Sequence, residues 1–213
     1  MEKFFTINTV DPLVLTLPED AVLSRLGRNR FLTVMDHALT VKLHLAMQKA
    51  FAMCRARGRW KLLKVSQKQS DMVVLDDFWQ INSSRFADFA ASAQYLFLGA
   101  VTIGNELPQA VEQAQKSGSM VDAAIFDAVG SECADLAINL LQKLAGAELC
   151  RRGATLSQQR FSAGYGGVEL FHQKEIFRQL ALHELKLSLT ETFIMQPEKS
   201  VTAFALVNNG AIQ

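Results

Sequence analysis

Residues 121–150 constrain this chain more than any other stretch. Apolar residues recur there at helical spacing, Gly130 is a breaker inside, and the run reads as one long helix. Residues 95–103 are nearly all apolar and are punctuated by Gly104-Asn105, so they read as a buried strand. Such a helix and such a strand have to bury their apolar surface against other elements.

The remaining elements mix helices and strands without strict alternation. Residues 4–10 read as a short strand ended by Asp11-Pro12. Pro18 suits the first turn of a helix over residues 19–26, which Gly27 ends. Thr33 is expected to start a long helix over residues 34–57, with Ala38, Val41, Leu45, Ala46 and Ala50 at helical spacing and Gly58 closing it. Residues 60–66 and 72–79 are extended runs rich in β-branched and aromatic side chains. Ser83 and Ser84 offer an N-cap for a helix through Ala91, and residues 108–116 read as a helix ended by Gly118. A loop over residues 151–156 leads into the glycine-bearing segment 160–168, then a helix over residues 173–183. Strands at 188–195 and 201–207, joined by Gln196-Pro197-Glu198-Lys199, read as a hairpin with proline at the start of its turn. No internal repeat or flexible linker is visible. The expectation is a single α+β domain over residues 1–213, with a mainly antiparallel twisted sheet packed with several helices.

Composition narrows the function. Twenty-two basic and 21 acidic residues give a net charge of +1, which argues against a dedicated nucleic-acid binder. Three cysteines, none in a CxxC spacing, argue against a disulfide framework or a local zinc motif and fit reduced thiols in a cytosol. The N-terminus, with Glu2 and Asp11 and no long apolar run, does not read as a signal peptide. The most apolar stretch, residues 89–104, is shorter than a membrane span requires. A cytoplasmic protein without membrane or nucleic-acid partners is expected.

Several constellations stand out. Asp127, Ser131, Asp135 and Asn139 recur at intervals of four and share one face of the long helix. Gly130 and Ala134 keep that face low in relief, so a ligand or a second element can lie close against it; the pattern also fits a solvated face. Arg160-Phe-Ser-Ala-Gly-Tyr165, followed by Gly166-Gly167, is the most unusual segment. Arg160 supplies a planar cationic fork suited to a carboxylate, and Gly164 permits backbone conformations that a Cβ forbids. Ser162 and Ala163 leave backbone groups accessible, and Tyr165 adds a flat face and a hydroxyl. Together these suit a zwitterionic, aromatic ligand, and a glycine-rich surface turn is the alternative. Glu191, on an otherwise apolar strand, either holds donors near the site or faces solvent. The scattered histidines His37, His44, His172 and His183 read as structural or surface groups. No nucleophile–base pairing emerges. Met35, Met47, Met53, Met72, Met120 and Met195 read as core filler. Arg55, Arg57, Arg59, Lys61 and Lys64 form the only basic run, read as a solvated helix end or a docking face for an acidic partner.

The C-terminal third resembles the activation domain of vitamin B12-dependent methionine synthase. The residues that carry this are the RxxxGY pattern Arg160-Phe-Ser-Ala-Gly-Tyr165 and the segment Leu189-Thr-Glu-Thr-Phe-Ile-Met-Gln-Pro-Glu-Lys-Ser200. Upstream, Leu23-Ser-Arg-Leu-Gly27, Ala100-Val-Thr-Ile-Gly104 and Asp127-Ala-Val-Gly-Ser131 resemble stand-alone bacterial members of that family.

The resemblance implies binding of S-adenosylmethionine and support of cobalamin repair. In the family an electron from a flavodoxin-type donor reduces cob(II)alamin, and the sulfonium methyl is then transferred to cobalt. It also implies residue roles. Arg160 would grip the ligand carboxylate, and Asp135 would hold its amino group. The backbone of Ser162 and Ala163 would meet the adenine, and Gly164 and Tyr165 would shape the pocket beside the sulfonium. Ser131 and Glu191 are candidate supports. The chain departs from the family's full-length enzymes in carrying Gly166-Gly167 where a cysteine and a proline follow, and Ala154 where some members place an acid. A later tyrosine-bearing segment is also expected to be missing. The implied role is a stand-alone subunit acting on a separate corrinoid-binding methionine synthase or methyltransferase. The alternatives are a non-catalytic docking or capping partner of such a protein, or a small-molecule-binding module that has lost S-adenosylmethionine.

Overall fold

The computed structural model describes residues 2–28 and 36–209. In chain order the elements are helix α1 (Glu2–Phe5), strand β1 (Asn8–Val10), helices α2 (Glu19–Arg25) and α3 (His37–Ala52), and strands β2 (Arg57–Lys68), β3 (Met72–Leu75) and β4 (Trp79–Asn82). Helix α4 (Ser84–Ala90), strand β5 (Tyr95–Thr102) and helices α5 (Glu106–Lys116) and α6 (Met120–Cys150) follow. Strand β6 (Ala154–Phe161), helix α7 (Gln173–Leu180) and strands β7 (Ser188–Leu189), β8 (Met195–Gln196) and β9 (Ser200–Asn209) complete the chain. Short 3-10 turns at Leu170–His172 and Leu182–Leu185 flank α7.

The main sheet runs in the order β4-β3-β2-β5-β9-β6, with β1 pairing the first residues of β2. Every strand pair among the described residues is antiparallel. β5 lies at the centre, paired along its whole length with β2 and β9. It is buried on both faces, which is why its sequence is continuously apolar rather than alternating. Phe97 and Val101 join Trp60, Leu62, Ala205 and Val207 in a core under α3, α5 and α6. Leu96, Leu98 and Ala100 join Leu63 and Phe204 in a second core under α4 and α7. This is the α+β domain that the order of elements predicts.

α6 spans the first core. Its Val129, Cys133, Ala137, Ile138, Leu141 and Ala145 are fully buried. Gly130 lets the stem of Lys199 lie against the helix, because a Cβ there would stand 3.2 Å from Lys199 Cγ. The low relief of that face thus receives a second element, the segment leading into β9.

Several local expectations are corrected. Residues 4–10 are not one strand: α1 precedes a short β1. The helix expected over residues 34–57 ends at Ala52, and Thr33, Val34 and Met35 lie outside the described residues. Its N-cap is Asp36, whose carboxylate accepts the Leu39 N–H at 2.6 Å. β2 already begins at Arg57, and Gly58, expected as a helix stop, lies inside that strand. Residues 72–79 divide into β3 and β4, because Asp76 and Asp77 take left-handed conformations that turn the chain. The expected loop at 151–156 ends early, since β6 starts at Ala154. The expected helix over residues 173–183 stops at Leu180, where Ala181 adopts a left-handed C-cap. The segment 188–196 folds back on itself as the small β7–β8 hairpin, and β9 pairs with β5 and β6 instead. Met120 is exposed rather than core filler.

Only Arg55 of the basic run sits at a helix end, exposed and donating to the Ala52 carbonyl of α3 at 2.7 Å; Arg57, Arg59, Lys61 and Lys64 all lie on β2. Arg59 is buried and donates to the Leu180 and Ala181 carbonyls at 3.2 and 2.9 Å, and it also pairs with Glu184. That hydrogen bond, more than the charge attraction, holds the Glu184 carboxyl below its usual range. Arg57 donates to the Leu185 carbonyl at 3.1 Å, and Lys61 to Gln179 Oε1 at 2.8 Å. Arg59 therefore satisfies orphan carbonyls at the end of α7, and Arg57 one at the end of the 3-10 turn that follows.

His172 is also buried, and its Nδ1 accepts the Trp79 indole N–H at 3.1 Å. Burial lowers its pKa, against a smaller upward pull from Glu169.

Two outcomes follow from these contacts. Arg59→Ala strips one buried and one part-buried carbonyl of their donor and should cost about 2–4 kcal/mol in urea unfolding, whereas exposed Arg55→Ala should cost under about 1 kcal/mol. The unfolded chain takes up the His172 proton at a higher pH than the folded chain does. Stability should therefore fall as pH drops below about 6.5, and His172→Gln should remove that component of a denaturation series against pH.

Candidate functional site

Strand β6 forms one edge of the sheet and runs beside α6. Its ladder with β9 is interrupted: Leu156 pairs with Val207, and pairing resumes at Arg160 opposite Ala205. Ser157, Gln158 and Gln159 lie in that interruption, a bulged irregularity of the kind that re-aims side chains. The Ser157 carbonyl accepts the Gln142 side-chain amide from α6, and the Ser157 hydroxyl accepts the Gln159 N–H at 3.1 Å.

Val207 and Ala205 both face the α6 core, so Arg160, opposite Ala205, is directed to the same side. Its Nη1 donates to Asn139 Oδ1 at 2.5 Å and Gln142 Oε1 at 3.3 Å. Asn139 and Gln142 share a helix face because they stand three residues apart. Both partners are neutral amides. Among the described residues no carboxylate forms an ion pair with Arg160, so its charge is oriented but not neutralised.

A cavity of about 670 Å³ elsewhere lies beside α5 and the β8–β9 turn, lined in part by Gln109, Glu112, Asp127 and Pro197. The cavity near Arg160 is of about 550 Å³, lined by Asn139, Gln142 and Lys143 of α6 and by Leu156, Ser157 and Gln158 of β6. Its lining holds no carboxylate, histidine or cysteine. The groove beside Arg160 thus suits binding and orienting an anionic group rather than proton transfer. Among the described residues no group of three or more His, Cys, Asp or Glu is placed to hold a metal ion. No helix among them is long and apolar enough to cross a membrane.

The glycine-bearing segment leaves β6 and crosses to the other face of the sheet. Ser162 donates to the Thr202 carbonyl at 2.9 Å, and Ala163 is buried in the second core. Gly164, at φ +90°, donates its N–H to the Val168 carbonyl at 2.8 Å, which closes the loop. Ser83, the α4 N-cap, donates its hydroxyl to the Gly166 carbonyl at 2.8 Å and pins the loop to that helix. A Cβ on Gly166 would stand 2.4 Å from Phe161 Cζ, so the ring can cover the loop only because position 166 is glycine. Tyr165 stands out in solvent at 75% exposure.

The other candidate residues separate along α6. Asp135 is exposed, one turn before Asn139, and faces Arg25 of α2 at 3.7 Å. Arg25 also pairs with Glu132 at 2.6 Å. Ser131 accepts from Lys199 Nζ at 2.9 Å, and the same ammonium pairs with Asp127 at 2.6 Å. Glu191 is exposed in the turn between β7 and β8, not on a strand. That turn is held by Thr190, which accepts the Ile194 N–H at 3.0 Å.

The structure therefore joins Arg160 to Asn139, places Asp135 one turn away, and binds Ser131 to Lys199. Sequence reasoning does not single out Gln142, Lys143, Arg25 or Lys199 as site groups. Gln142 carries a signal, since it follows Asn139 by three on a helix. The others are brought in only by tertiary packing.

No family model and no curated protein matches the chain. Among solved structures it is similar to the MetH reactivation domain, determined bound to AdoHcy. The TM-score is 0.69 at 17% identity, over 98% of this chain and 80% of that one. The chain thus has the fold of a methionine synthase reactivation domain.

Gly166→Ala tests the loop. It combines a left-handed backbone with a clash against Phe161 and should lower unfolding stability by about 1–3 kcal/mol, read by thermal or urea denaturation.

Proposed function

We propose that the protein binds S-adenosylmethionine, and its product S-adenosylhomocysteine, as a subunit that supports reductive remethylation of cobalamin on a separate corrinoid protein. The observation that carries this reading is Arg160. Its guanidinium is fixed by two amides, lacks a carboxylate partner among the described residues, and lies near a groove large enough for a small ligand. An amino-acid carboxylate is the group such an arginine recognises. The AdoHcy on the structural neighbour supports the same ligand class.

In this reading Asp135 leaves its exposed pairing with Arg25 to meet the ligand ammonium, and the loop after Arg160 supplies backbone contacts to the adenine. The protein binds and orients, in keeping with a groove without a general base. The redox and methyl-transfer chemistry would belong to the partner's cobalamin, with a flavodoxin-type protein as electron source. Such a pairing implies a cytoplasmic protein that works with a corrinoid-dependent methionine synthase or methyltransferase.

The alternative is a docking or capping role that no longer uses the ligand. The Asp135–Arg25 contact favours it, because it gives the carboxylate an internal partner. Calorimetric titration with S-adenosylmethionine separates the two. Binding in the micromolar to low-millimolar range, weakened at least about tenfold in Arg160→Ala, supports the ligand reading; removing one charge-assisted hydrogen bond costs about that much. Absence of binding at millimolar ligand, with or without a corrinoid protein, overturns it. Preserved docking to a corrinoid protein by Arg160→Ala then points to the alternative.

A further inference from the structure

Helix α3 is apolar on two sides, and the core covers one of them. Met47 and Ala50 are buried in the first core, and Leu43 packs at its margin. A second row, Ala38, Val41, Leu45, Gln48 and Ala52, runs along the opposite side at alternating steps of three and four residues, and every member is exposed. Val41 and Leu45 are 42% and 59% open to solvent. A helix with apolar residues on both sides normally has both covered. Steps of three and four are the spacing of a helix–helix seam. Part of the periodicity that predicts α3 from sequence therefore belongs to this outer row rather than to the core.

The charges beside the row are of one sign. Lys42 and Lys49 flank it on one side, and His37 and His44 on the other. α3 itself holds no aspartate or glutamate, and the carboxylate of its N-cap, Asp36, is engaged by the Leu39 N–H. Glu19 of α2 is met by His44 at 3.2 Å, and Lys49 lies over the Phe126 ring. Lys42 has no ion-pair partner among the described residues. A second copy of α3 laid on this row would set basic flanks against basic flanks, which repel across a seam. A lipid surface is a poor match as well: the row ends in alanines and holds no aromatic residue to anchor among headgroups.

We propose that the outer row of α3 is a docking surface for an acidic amphipathic helix of a partner protein, one whose Glu or Asp side chains flank its own apolar seam. Val41 and Leu45 supply the apolar anchors, Ala38 and Ala52 let the two backbones approach closely, and Lys42 pairs with an acid of the partner. This surface is separate from the groove between α6 and β6 near Arg160, and stands whether or not that groove takes a ligand.

The test is fluorescence anisotropy of two labelled synthetic helical peptides mixed with the purified full chain at low salt. Both peptides carry leucine along a seam; one has glutamate at every flanking position and the other lysine. The glutamate peptide should bind, and its binding should weaken as salt is raised. Leu45→Glu puts a charge into the seam and should weaken binding at least about tenfold. Lys42→Glu should weaken the glutamate peptide and let the lysine peptide bind. Both positions are exposed, so the urea midpoint of each variant should stay where it is in the parent chain. No binding of the glutamate peptide at millimolar concentration, equal binding of the two peptides, or binding that ignores Leu45→Glu overturns the proposal. So does a dimer of the chain, seen by sedimentation, that Leu45→Glu dissociates, or binding to phosphatidylserine vesicles that the same substitution abolishes, because the row is then filled by a second copy or by lipid.

Discussion

A strand buried on both faces needs cover on both sides, and β5 imposes that demand on the whole chain. Its pairing with β2 and β9 sets the centre of the sheet, and its alternate residues feed two separate cores. α6 closes one core. α4, α7 and the loop after Arg160 close the other. The edge where β6 meets α6 is then the place where the first layer is left open, and the groove near Arg160 lies there.

Polar groups at the layer junctions carry much of the specificity. Arg59 reaches from the sheet to the carbonyls that end α7, and Lys199 reaches across to Asp127 and Ser131 of α6. Arg160 does the same toward Asn139 and Gln142, but with amides in place of a carboxylate. A buried or half-buried cation is normally paired with an anion. Arg59 and Lys199 follow that rule. Neither Arg57, which donates to the Leu185 carbonyl, nor Arg160 has a carboxylate partner among the described residues; Arg160 differs in lying beside a groove.

The strongly periodic elements are legible in the sequence. The limits of α6 and α5 and the Ser83 cap of α4 are readable within a residue or two, because apolar spacing and capping residues are local signals. Some misread elements follow from local left-handed residues, as at Asp76, Asp77 and Ala181, and others from a tertiary contact that overrides a local cue. Gly58 signals a helix end, yet it sits in β2, where Ala100, Leu13 and Leu141 crowd it. The basic residues beside it look solvated in sequence, and the position of α7 turns them inward. For the candidate site, Arg160 and its glycine loop are visible as an unusual segment. The groove beside it is not, since it arises from a bulge in β6 that only the pairing with β9 defines.

That bulge has another effect. An exposed edge strand offers a row of free donors and acceptors to any passing chain and invites sheet-to-sheet stacking. Here β6 breaks its regular spacing between Leu156 and Arg160, and at the opposite side the terminal strand β4 is only four residues long. Neither border presents a long flat template. The irregularity that shapes the groove therefore also guards the domain against fibril-like self-association, so straightening β6 to regular pairing would favour clumping at high concentration.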